Sequence, residues 1–156
     1  MNEAAQAYWE SYWKGKEKPE VPVSAWAFGT TPDQLALLVI DGRKTATCSA
    51  HPAYEVDNEP IPEVGEYSII LNGKDEPVAI IQTTEVEIVP FNEVTEDFAK
   101  AEGEGDLSYQ YWWEVHQQFF KEEANELGFD YSEDMDVVCE RFHLVHVKKT
   151  DERTEG

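Results

Sequence analysis

Residues 35–48 read Leu-Ala-Leu-Leu-Val-Ile-Asp-Gly-Arg-Lys-Thr-Ala-Thr-Cys, and the fold is read outward from this stretch. Leu35 to Ile40 is apolar almost all round, which predicts a short, buried helix. Thr31-Pro32-Asp33 supplies its start: Thr31 can cap, and Pro32 fits the first turn, where a missing N–H costs nothing. Gly42 ends the helix in the left-handed conformation that glycine adopts cheaply. Thr45-Ala-Thr-Cys-Ser49 then predicts a strand. Arg43 and Lys44 therefore put two cations at a helix exit, in a chain with 12 Lys plus Arg against 33 Asp plus Glu.

Two readings fit that pair. Carbonyls at a helix C-terminus favour cations, so Arg43 and Lys44 can simply cap the helix. Alternatively, Lys44 and Thr47 form a base and nucleophile, because a Thr hydroxyl is inert until a neighbour takes its proton. Residues three apart face opposite sides of one regular strand. The chemical reading therefore requires the strand to begin after Lys44, with Lys44 in the bend behind Gly42. It also requires a depressed lysine pKa, against the upward push of a net charge of −21. Burial, helped by the Arg43 charge, would have to supply that.

The rest of the chain predicts a single α+β domain. Residues 2–14 form an amphipathic helix with an aromatic stripe of Tyr8, Trp9, Tyr12 and Trp13, and Pro19 and Pro22 mark an extended connector. A polar loop through Pro52, Pro60 and Pro62 follows the first strand. Glu66 to Leu71, the Asn72-Gly73 turn signal and Pro77 to Val89 read as a hairpin. Thr83, Glu85 and Glu87 share one strand face by period-2 alternation. Glu93 to Glu102 is a short helix broken by Gly103-Glu-Gly105. Ser108 caps a longer helix to about Leu127, stopped by Gly128, with Tyr109, Trp112, Trp113, His116 and Phe120 on one face. Val137 to Val147 closes the sheet. Residues 1–20 are thus an N-terminal helix and connector, 21–148 the main domain, and 149–156 a polar tail.

Composition narrows the function. The chain has 156 residues, 41% of them hydrophobic and 12% aromatic, which supports a packed core and excludes a disordered acidic tail. No apolar run is long enough for a membrane span, and the N-terminus has no basic and apolar leader, so a soluble cytoplasmic protein is expected. A polyanion is repelled at long range, which argues against non-specific DNA binding. Cys48 and Cys139 read as reduced thiols, not as a disulfide or a zinc site. His143 and His146, three apart in a strand, diverge and do not form a metal pair. No metal or cofactor is expected. His116 on its aromatic helix face reads as a core histidine, and Arg141, in a buried-looking strand, needs a carboxylate or phosphate partner.

Gly42-Arg-Lys44-x-x-Thr47 matches the G-x-K-x-x-T signature of the ASCH domain, a relative of the PUA fold, which this chain resembles. Trp26-Ala-Phe28-Gly29 is similar to the family's aromatic lead-in. Phe98-Ala-x-x-Glu102-Gly103 and Ser108-x-x-Tyr111-Trp112-x-x-x-His116 resemble its helical segments, and Cys139-Glu-Arg-Phe142 its last strand. Many members carry Arg two places after the motif Thr; here that residue is Ser49. The resemblance implies a PUA-like mixed β-barrel with flanking helices, closed or nearly closed by five or six strands. It implies Lys44, Thr47 and Glu102 as a catalytic set, since some small members are amidohydrolases that deacetylate N4-acetylcytidine. Arg43, Ser49, Trp26, Trp112 and Arg141 are the expected substrate-binding residues, with Arg43, Lys44 and Arg141 forming a local positive island. Other members bind or cleave RNA. The expected partner is a small nucleoside-like ligand, or else a short RNA element bound without catalysis. Ribonuclease activity ranks last because no acid–base histidine pair is visible.

Overall fold

The computed structural model describes residues 1–21, 23–29, 31–104 and 107–148. Pro22, Gly105 and the tail 149–156, to which the sequence assigns a connector, a helix break and a polar end, lie outside the described residues. The elements run α1 (Glu3–Trp13), β1 (Val23–Ala27), α2 (Pro32–Ile40), β2 (Ala46–Ala50), α3 (His51–Val56), β3 (Tyr67–Leu71) and β4 (Pro77–Pro90). A 3-10 turn (Phe91–Glu93), α4 (Glu96–Ala101), α5 (Tyr109–Leu127) and β5 (Asp136–Val147) complete the order.

The five strands form one mixed sheet in the order β1-β3-β4-β5-β2. Only β1 and β3 pair parallel, through the long crossover that such a pair needs. The sheet curls so that edge strands β1 and β2 face each other across a cavity without pairing. The barrel expected from the sequence is thus a half-barrel, α+β in class. It stays open along the two edge strands, each five residues long, which do not pair with each other.

Helices cover both faces. The α1 stripe buries Ala5, Tyr8 and Trp9 against Ile69, Leu71 and Ile80 on the convex face. Asn2 caps α1, its side-chain oxygen accepting from Ala5 N at 2.7 Å. On the far side of the convex face, α5 presents Trp112, His116, Phe120 and Ala124 at four-residue spacing. Trp112 and Phe120 pack with Phe91, Phe98, Val137 and Cys139. Helix α2, expected to be buried, instead lies at the surface with Leu37 58% exposed; it plugs one end of the concave trough, where Ala36 and Val39 meet Phe28, Ile70, Ala79, Ile81 and Phe142. The trough turns polar where that plug ends: Ile70 gives way to Ser68, Ile81 to Thr83 and Phe142 to Glu140, all three buried.

Three local expectations change. The polar loop after β2 contains α3, which Pro52 starts in its first turn. The helix expected from Glu93 begins instead at Glu96, because Thr95 is the cap, accepting from Phe98 N at 3.1 Å. Thr83 does not share a face with Glu85 and Glu87. A bulge between Thr83 and Glu85 adds a residue to β4, pairing Thr83 with Phe142 but Glu85 with Arg141. One extra residue inverts the alternation, so Thr83 points into the trough and Glu85 out of it.

Candidate active site

Local backbone rules set the first half of the site. Gly42 takes φ +79° after α2, and the amides of Arg43 and Lys44 both donate to Leu38 O. Strand β2 starts only at Ala46, so Lys44 lies in the bend and Thr47 in the strand. Thr45 then ties this bend to its surroundings: its N–H donates to Ala101 O at 2.7 Å, and its carbonyl accepts from Phe142 N at 3.0 Å. Gly103, with φ +71°, ends α4 against the same bend. A Cβ there would sit 2.2 Å from Arg43 O, so glycine is needed for space as well as conformation. This close approach delivers Glu102 to Lys44.

Lys44 and Glu102 are fully buried and form the centre of a charge-alternating chain. Lys44 Nζ donates to Glu102 Oε1 at 2.9 Å and to Glu104 Oε2 at 2.8 Å. The other Glu102 oxygen accepts from Trp112 Nε1 at 2.8 Å and lies 3.1 Å from His116 Nε2. His116 Nδ1 is 2.8 Å from Trp112 O. Both ring nitrogens therefore face groups that can only accept, so the ring carries both protons and is an imidazolium. The four charges sum to zero: two cations, Lys44 and His116, against two carboxylates, Glu102 and Glu104.

The acidities follow from this geometry. Burial favours a neutral Lys44, but Glu102 and Glu104 outweigh it and raise its pKa above the ordinary lysine value. Burial likewise opposes the His116 charge, and Glu102 overrides it, raising the histidine. Glu102 itself is buried, yet Lys44 and His116 hold its carboxyl down to about 2. The depressed lysine required of a resting base is therefore absent, because two carboxylates outweigh one nearby Arg43.

Lys44, Thr47 and Glu102 line one cavity of about 60 Å³, with Phe28, Glu104, His116 and Phe119. Thr47 also lines a second, larger cavity of about 560 Å³ inside the half-barrel. Ser49 and Trp26 face this chamber with Ser68, Tyr54 and Glu140. The other expected binding residues are placed elsewhere. Trp112 is buried behind Glu102, stacked on His116 at 4.4 Å, and offers no face to a base. Arg43 is exposed and lines neither cavity. Arg141 projects from the outer face of β5, 3.1 Å from Asp97 and over the Phe98 ring. No positive island forms, because Arg141 alternates with Glu140 and only Glu140 points inward.

Sequence reading missed Glu104, Tyr54, Thr83 and the inward role of Glu140. Pro52 at a helix start was the available signal for Tyr54; for the others the bulge and the long-range packing decide. Cys48 and Cys139 are free, buried and opposite each other in the β2–β5 pair, and burial pushes the Cys48 thiol up. The expected divergence of His143 and His146 does not hold: a bulge in β5 pairs them with Gln82 and Ile80, on the same face, where His146 engages Tyr8 at 2.8 Å and His143 is exposed. Among the described residues, no group of three His, Cys, Asp or Glu could hold a metal ion, and no helix is long and apolar enough to cross a membrane.

A half-barrel with a buried Lys–Glu pair behind a glycine turn defines a PUA-like domain protein. The ASCH domain profile matches residues 24–146, and the chain belongs to that family. It is 35% identical to an ASCH domain from Lactobacillus crispatus, with a TM-score of 0.86 over 92% of this chain and 95% of that one. It is 38% identical to a protein of known structure from Enterococcus faecalis, with a TM-score of 0.83 over 100% of this chain and 95% of that one. No functionally curated protein matches the chain.

Proposed function

We propose that this protein is an amidohydrolase that releases the acyl group from N4-acetylcytidine or a similar small acylated nucleoside or amide. One observation carries the reading: the small Lys44–Thr47–Glu102 cavity and the large chamber share Thr47. An acyl group fits the former and the body of a nucleoside the latter, since ligand sites typically span ~300–1,000 Å³. The Thr47 hydroxyl would then stand where the two parts of the substrate join.

The resting charges set the order of proton movements. Ligand entry displaces water, and in the drier site a neutral amine and acid become competitive with the ion pair. Lys44 passes its proton to Glu104, 2.8 Å away, and becomes a free amine. That amine takes the proton of Thr47 as Oγ adds to the acyl carbonyl. The tetrahedral adduct collapses, the C–N bond breaks, and the amine leaves with a proton from Lys44. Water then adds to the Thr47 ester, and its hydrolysis frees the carboxylic acid and restores the hydroxyl.

The second reading is a non-catalytic module for a modified nucleoside, favoured by the ammonium that two carboxylates hold on Lys44 at rest. Incubation with N4-acetylcytidine, followed by chromatography of released cytidine, separates the two. The hydrolase predicts turnover that Thr47→Ala abolishes with little change in Tm. Lys44→Arg also abolishes it, because a guanidinium stays protonated. Binding without turnover, retained in Lys44→Arg, would establish the module instead.

A further inference from the structure

We infer that the chamber inside the half-barrel recognises an uncharged heterocycle through Glu140 on its floor, and that its acidic wall rejects phosphorylated ligands. This deepens the nucleoside reading above and rests on it for the kind of ligand.

The chamber is polar where a folding core would be apolar. Its about 560 Å³ are lined by Glu59, Glu63, Glu66 and Glu140 and, among the described residues, by no Lys, Arg or His. An anionic group entering there meets carboxylates without a counter-cation. The repulsion is strongest at the partly enclosed floor, where screening by salt is weakest. A neutral ligand meets no such barrier.

Glu140 is 5% exposed, yet it contributes to the chamber lining. Thr83 fixes one of its oxygens, donating from Oγ1 to Oε2 at 2.5 Å. Burial pushes the Glu140 carboxyl up; the Thr83 bond opposes this and the Glu66 charge adds to it. With Oε2 held by Thr83, Oε1 is left for the ligand. Glu140 then offers that oxygen as a fixed hydrogen-bond partner to a polar edge of the heterocycle. Trp26, half-buried on the chamber wall, supplies an aromatic face on which a heterocycle can stack. Tyr54 and Ser49, which line the chamber with Glu140, add neutral polar groups to its surface.

The test is calorimetric titration of the full chain with cytidine and with cytidine 5′-monophosphate. Cytidine should bind at least about tenfold more tightly than the monophosphate, and added salt should narrow that gap. Glu140→Ala should weaken cytidine binding by about tenfold or more, the loss of a buried hydrogen bond to ligand. Glu140→Gln, which keeps a donor and an acceptor in place, should stay within about threefold of the wild type. The wild-type comparison of the two ligands needs no variant and stands even if Glu140→Ala fails to fold. Equal affinity for the two ligands, or unchanged cytidine binding by folded Glu140→Ala, overturns the inference. Hydrolysis of N4-acetylcytidine with equal affinities would sink the chamber's role and leave the amidohydrolase. The expected affinities without hydrolysis would do the reverse.

Discussion

The Lys44 ammonium and the Glu102 carboxylate, 58 positions apart in sequence, meet at 2.9 Å with each side chain 1% exposed. Neither group could be buried alone, because an isolated charge in the interior costs several kcal/mol. The pair is completed by Glu104 on one side and by Trp112 and His116 on the other, so the site doubles as a structural clasp between the β2 bend, α4 and α5.

Removing one member of that clasp strands the others. Lys44→Met leaves two carboxylates without their cation and should destabilise the protein by about 3–5 kcal/mol. Urea unfolding at neutral pH measures it. Thr47→Ala, half-buried at the cavity junction, should lose less than about 1.5 kcal/mol. A Lys44→Met loss no larger than that of Thr47→Ala would show that the pair is not held as described.

The clasp also gives stability a defined pH dependence. Glu102 has a folded value of about 2 against 4.5 when unfolded, so its contribution is full above pH 4.5 and is lost as pH falls through about 2. His116 runs the other way: raised from 6.5, it contributes fully below 6.5 and loses that contribution as pH rises through the folded value. His116→Gln should therefore flatten the alkaline limb of a Tm-against-pH curve and also shrink the acid limb, because Glu102 loses one of the two cations that depress it. An unchanged alkaline limb would assign it to other groups.

Gly103 and Gly42 both have positive φ, yet their substitutions should differ. Around Gly42 nothing lies within 4 Å of an added Cβ, so Gly42→Ala should cost only the backbone term, about 1–2 kcal/mol. Gly103→Ala adds a 2.2 Å contact with Arg43 O and must push the Lys44 bend off α4. Its loss in denaturant unfolding should exceed that of Gly42→Ala, and it should also depress any turnover that depends on Lys44. Equal losses would mean that the two segments part without consequence.

Local physics made much of this protein legible from its sequence. The apolar run 35–40, Pro32 and Gly42 define α2 and its exit. The period-2 rule places Lys44 in a bend before Thr47 is in strand, as found. Four-residue spacing on α5 puts Trp112, His116 and Phe120 on one buried face. Resemblance at the glycine–lysine–threonine motif pointed to the family. These features depend on neighbours a few residues away, which the sequence displays directly. Tertiary structure alone decided the charge states and the inside of the trough. Lys44 is a held ammonium because Glu102 and Glu104 arrive across 58 and 60 positions. Thr83 meets Glu140 on the concave side of the sheet because a bulge in β4 inverts the alternation after Thr83. Electrostatic energies follow distance in space, and a strand's facing can reverse with one unpaired residue, so neither was written in the local pattern.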